Sequence, residues 1–134
     1  MSAPTHPQET PQMTATPLLH AWFEIMDSTT PERVLDMITD DFRLSILFST
    51  GDSAAEFEGD RAGLEVYLAQ REVSVLTHHL LQGARIGDAE LVLGETRRDG
   101  VFEASFNASA QLTADGRQVR RLLICRSPKV RFTD

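Results

Sequence analysis

The chain has 134 residues, 41% of them apolar and 25% charged, with a formal net charge of −7; this suits one globular domain with a sizeable core and is too short for two. No run approaches the roughly 18–20 apolar residues of a membrane span, and the opening MSAPTHPQETPQMTATP has neither the basic nor the apolar region of a secretory signal. Cys125 is the single cysteine, which excludes an intrachain disulfide and a thiolate metal cluster, so the expectation is a reduced, cytoplasmic protein with no metal and no membrane partner.

The charge is unevenly spread. Residues 1–60 hold 11 acidic and 2 basic side chains, and residues 61–134 hold 9 and 11. Arg117, Arg120, Arg121, Arg126, Lys129 and Arg131 form an acid-free run, but a nucleic-acid surface would interleave such a run with exposed aromatics and only Phe132 is near. The run therefore predicts a solvated or subunit-contacting strand face and no nucleic-acid partner.

In chain order, residues 1–16 carry Pro4, Pro7 and Pro11 among polar residues and predict a disordered tail. Pro17 to about Asp27 reads as a helix with Thr16 as N-cap; Leu18, Leu19, Trp22, Ile25 and Met26 share one face, and His20, Glu24 and Asp27 lie largely on the other. Thr30-Pro31-Glu32 opens a second helix ending near Thr39. Phe42, Leu44, Ile46 and Phe48 alternate as a strand, 49–53 is a loop, and Glu56–Gly59 is a short strand. Asp60 caps a third helix over about Arg61–Arg71, with Leu64, Tyr67 and Leu68 as its buried stripe. From His78 to Arg126 the turns Gly87-Asp88, Asp99-Gly100 and Asp115-Gly116 divide the chain into a four-stranded meander. Helices then strands imply an α+β fold, with a curved sheet covered by helices on one face.

That order, with Asp41-Phe42 opening the first strand, Gly59-Asp60-Arg61 before the third helix, and His79 seven residues before Ile86-Gly87-Asp88-Ala89, resembles the nuclear-transport-factor-2-like superfamily and its SnoaL-like (polyketide cyclase-like) group over residues 17–127. Gly83 is a departure, standing where many relatives carry asparagine. The resemblance implies a cystatin-like α+β barrel: a cone-shaped, mixed or antiparallel sheet wrapped around three helices, flanked by tails at 1–16 and 128–134. It also implies a homodimer through the outer sheet face, no cofactor, and a function in one of two classes. The first is an apolar pocket for a small organic ligand with general acid–base chemistry of isomerase, cyclase or hydrolase type. The second is a non-catalytic ligand-binding or dimerisation module.

Two-residue loops at all three turns would pair Ile86 with Ala89, Arg98 with Val101 and Ala114 with Arg117. Phe102, Ala104, Phe106 and Ala108 then share a concave face with His78, Leu80, Leu93, Glu95, Arg97, Arg121 and Leu123, while His79, Val92, Ser105, Leu122 and Ile124 face outward. The concave ionisable groups His78, Glu95, Arg97 and Arg121 make a candidate cluster, in which a carboxylate beside arginine stays ionised and a histidine serves as acid or base. Candidate catalytic residues are His78 and Glu95, with Asp41 added because relatives place a carboxylate near it. Candidate pocket residues are Trp22, Tyr67, Arg97, Phe102, Phe106 and Arg121.

Overall fold

A computed structural model describes residues 15–49, 54–71 and 75–134. Helix α1 spans Pro17–Met26 and begins where proline's fixed φ and missing N–H favour a first helical turn, directly after Thr16. Of the predicted disordered stretch 1–16, residues 1–14 lie outside the described residues; Thr16 itself is fully buried, so order begins before the predicted boundary. The second predicted helix is a short 3-10 segment, Pro31–Met37. Strand β1 (Ile38–Ser49) starts four residues earlier than its alternating pattern indicated, taking over Thr39, Asp40 and Asp41. A first-turn acid and proline start that segment, but three apolar residues within it, Val34, Leu35 and Met37, pack on the core and β pairing claims the rest.

Strand β2 (Ala54–Asp60) leads into helix α2 (Arg61–Gln70), whose first turn is capped as predicted: Asp60 Oδ1 accepts from Gly63 N at 2.9 Å. The meander follows as β3 (Leu76–Ile86), β4 (Ala89–Arg98), β5 (Val101–Leu112) and β6 (Val119–Ser127). The six strands form one mixed, unclosed sheet in the order β2-β1-β6-β5-β4-β3, with only β1 and β6 parallel. Its inner face and the helices share one core, in which Leu19, Trp22, Val34, Phe42, Leu64 and Val119 are almost completely removed from water. Each such side chain contributes roughly 1.5–3 kcal/mol relative to exposure. Among the described residues no helix is long and apolar enough to cross a membrane.

The first two turns have the predicted two-residue loops, and Asp99 and Gly100 take the positive φ values, 53° and 81°, that a tight hairpin needs. The third does not: Leu112 pairs with Val119, leaving a six-residue connection held by Thr113 N donating to Gln118 O at 2.9 Å.

Three β-bulges then decide which side chains face the core. Leu81 is the extra residue between the Leu80–Gly94 and Gln82–Leu93 pairs, Glu103 between Arg97–Phe102 and Thr96–Ala104, and Arg120 between Gln111–Arg121 and Leu112–Val119. Each extra residue reverses the facing of everything beyond it, because strand side chains alternate with period two. The inward assignment of His78, Leu80, Ala104, Phe106 and Ala108 therefore holds. Glu95, Arg97, Leu93, Phe102, Arg121 and Leu123, expected on the concave face, instead lie on the outer face, and Val92, Leu122 and Ile124, expected outside, are buried inside.

Candidate active site

The inner face, α1 and α2 enclose a cavity of about 80 Å3, open at one end. Its walls come from Trp22, Phe23, Leu44, Leu64 and Ile124, and its polar lining from Tyr67, Arg71, His78 and Arg126. The volume admits a few waters or a small organic molecule and is well below the roughly 300–1,000 Å3 of drug-sized pockets.

His78 is the best-organised group there. Its ring Nδ1 lies 2.7 Å from Asp27 Oδ1, and its backbone N donates to Asp27 Oδ2, also at 2.7 Å. Both carboxylate oxygens thus grip one residue. The ring lies against Phe23, centroids 4.7 Å apart, and against the edge of Phe106 at 5.5 Å. The two side chains are only 12% and 15% exposed. A carboxylate on Nδ1 holds the proton at that nitrogen and leaves Nε2 as the basic atom.

Asp27 is the C-cap of α1, its own N–H bonded to Phe23 O at 3.0 Å. A carboxylate is electrostatically disfavoured at a helix C-terminus, where carbonyl dipoles are already negative; His78 offsets that cost. The helical wheel had put Asp27 on the polar side, and its partner lies 51 residues away. An acid at a helix C-terminus with no nearby cation was the available signal.

Of the other predicted site residues, Trp22 and Tyr67 line the same cavity and Phe106 supports the His78 ring. Glu95, Arg97, Phe102, Arg121 and Asp41 are not brought to it. Glu95 is fully buried beneath the C-terminal segment, taking Arg97 Nε at 2.7 Å and Thr133 Oγ1 at 2.7 Å. Burial alone would raise its carboxyl, but those hydrogen bonds and the charges of Arg97 and Arg131 hold it below the usual carboxylate range. Arg131 also stacks over Phe102 at 4.7 Å, so the predicted pocket residues Phe102 and Arg97 help to seat that segment. Asp41 is exposed and accepts from Thr39 Oγ1 at 2.7 Å and Arg120 Nη2 at 3.3 Å, which lowers its pKa. Arg121 donates to the backbone carbonyl of Asp41 at 2.8 Å.

A second inward carboxylate, Glu90, also escaped the sequence reading. It is fully buried, and its oxygens accept from Leu18 N at 3.2 Å and Leu19 N at 2.8 Å, at the N-terminus of α1. Burial pushes its pKa up even though those two bonds favour the ionised form. Nearby, a Cβ on Gly83 would come within 2.8 Å of Thr16 Cγ2, so the Thr16 side chain fills the space beside that glycine. Among the described residues no group of three or more His, Cys, Asp or Glu is disposed to hold a metal.

No family model matches the chain, and no curated protein matches it. Solved structures do. A proposed isomerase of the SnoaL-like family from Agrobacterium tumefaciens has a TM-score of 0.63 at 12% identity, covering 87% of this chain and 97% of its own. A proposed polyketide cyclase from Sinorhizobium meliloti has a TM-score of 0.56 at 16% identity, covering 84% and 97%. An NTF2-like protein of unknown function from Methylobacillus flagellatus has a TM-score of 0.55 at 15% identity, covering 94% and 98%. At such identities the likeness is one of fold: this chain has the NTF2-like α+β cone of SnoaL-like proteins.

Proposed function

We propose that this cone carries general acid–base chemistry on a small organic carbonyl compound, with His78 as base and Asp27 as its positioning partner. The observation that carries the reading is the 2.7 Å Nδ1–Oδ1 contact at a mainly apolar cavity. In that arrangement His78 Nε2 removes a proton from carbon next to a carbonyl, and the C–H electron pair passes into an enolate. Return of the proton from the imidazolium to a different atom completes an isomerisation; in a cyclisation the enolate carbon attacks a second carbonyl, whose π pair becomes an alkoxide that takes the proton back from the imidazolium. Asp27 fixes the tautomer and stabilises the imidazolium. SnoaL-like folds bearing isomerase and cyclase names among the solved structures favour the same class.

Deuterium exchange into a panel of small ketones, neutral and anionic, tests this by NMR in D2O. The expected result is His78-dependent exchange in at least one compound, falling by roughly 10²–10⁴-fold in His78→Gln. Asp27→Asn should lower it as well by releasing the ring from its tautomer. Exchange no faster than in buffer across the panel, or unchanged in His78→Gln, rejects the reading.

A second reading, a dimerisation module, is favoured by the outer sheet face. Leu47 and Leu123 are more than two-fifths exposed there, beside a shallow groove of about 580 Å3 flanked by Arg43, Glu58, Ser109 and Arg121. Light scattering at micromolar concentration should then give twice the chain mass, and Leu123→Lys should give a monomer; a wild-type monomer rejects it. The two readings are compatible, since they use opposite faces of the sheet.

A further inference from the structure

The charge of the cavity points to the substrate class. The chain has 20 acidic and 13 basic side chains, yet among the described residues the cavity is lined by Arg71, Arg126 and His78 and by no Asp or Glu. Acidic surroundings outside and guanidinium groups inside are the reverse of what composition alone would distribute.

Arg71 has no carboxylate partner among the described residues, and Arg126 shares its one carboxylate, Glu103, with Arg98. Arg71 donates to the thioether sulfur of Met26 at 3.6 Å, a weak acceptor, and no carboxylate among the described residues is within ion-pair distance of it. Arg126 is largely withdrawn from water, with its guanidinium carbon 4.7 Å above the Phe48 ring; its nearest carboxylate is Glu103, at 3.6 Å from one terminal nitrogen. A guanidinium offers five donors in a planar fork suited to a carboxylate. Much of that capacity is left over at the cavity, where water competes less than at the surface.

We infer that the ligand of this cavity is a short oxo acid, whose carboxylate is held by Arg71 and Arg126 while its ketone-activated C–H faces His78. The inference rests on the acid–base reading of His78 for its chemistry. Its anionic half stands separately on the two arginines. A ketone is required because a lone carboxylate leaves its neighbouring C–H too weakly acidic for an imidazole base. In the step, the C3–H bond breaks toward Nε2, its electrons enter an enolate on the ketone oxygen, and reprotonation at carbon or oxygen regenerates neutral His78. The small cavity, about 80 Å3, favours a short chain over a polyketide-sized molecule, and the apolar walls of Trp22, Leu64 and Ile124 take its alkyl end.

The probes are 2-oxobutyrate, its methyl ester and 2-butanone. Binding to the wild-type protein is followed by NMR titration, and exchange at the carbon next to the ketone is followed separately. The expected result is that 2-oxobutyrate binds roughly tenfold or more tightly than either neutral probe. Arg126→Met and Arg71→Met should each remove most of that preference, with Arg126→Lys retaining part of it; circular dichroism reports whether each variant is folded. Equal binding of acid and ester, no binding of the acid, or a preference untouched in folded arginine variants overturns the inference. His78-dependent exchange of 2-butanone alongside any of those results would leave the acid–base reading standing. Selective binding of the acid with no exchange would do the opposite.

Discussion

The two faces of β4 each bury a carboxylate, five positions apart, and use it to opposite electrostatic effect. Glu90 points inward and accepts from backbone N–H groups at the start of α1; burial outweighs those bonds and the charge of Arg85, so its pKa rises. Glu95 points outward under the C-terminal segment and meets Thr133, Arg97 and Arg131, so hydrogen bonds and charge prevail and its pKa falls. Both lie at 0% exposure. Glu90 is nonetheless the more deeply packed of the two, so depth as well as partners separates them. The inner carboxylate ties down the helix that carries Asp27, and the outer one ties down a chain terminus.

The inner face should be the less tolerant. Gly94→Ala should have the largest effect, about 3 kcal/mol of lost stability in urea denaturation, because a Cβ there would meet His79 O at 2.6 Å and the Phe106 ring at 2.5 Å. Glu90→Ala should cost about 2 kcal/mol, the upper range for removing a helix cap, since it strands two α1 amides. Thr133→Val, on the outer face, should cost about 1 kcal/mol or less by removing one hydrogen bond to Glu95. A larger loss from Thr133→Val than from Glu90→Ala would invert the ranking of the two faces.

The opposite pKa directions give the finest comparison. Glu90, raised in the folded state, contributes stability that is full below the ordinary glutamate range and is lost as pH rises through its raised value. Glu95, lowered, contributes stability present above that range and lost as pH falls. Denaturation should therefore show Glu90→Gln gaining on the wild type as pH rises from about 4 to 7, and Glu95→Gln losing its deficit against the wild type as pH falls below about 4.5. Parallel slopes would mean that the two environments are not electrostatically distinct.

The chain by itself determined the element order, the proline and aspartate that start the helices, two of the three hairpin turns and the inward side of β5 at Ala104, Phe106 and Ala108. These are local matters: a proline's φ, a capping carboxylate three residues from an amide, a period of two or 3.6. Of the candidate site, Trp22 and Tyr67 were legible because they fall on helix faces of unbroken period, and His78 because the Leu81 and Glu103 bulges reverse its facing twice relative to β5. Glu95, Arg97, Phe102 and Arg121 were misplaced because Leu81, Glu103 and Arg120 bulge. No residue type marks such a position, since a bulge is selected by how the sheet must bend over its helices. Only the tertiary structure decided that Asp27 meets His78 and Glu90 meets the start of α1. Those pairs span 51 and more than 70 residues, and contacts at that separation are set by the packing of α1 in the cone, which no local pattern encodes.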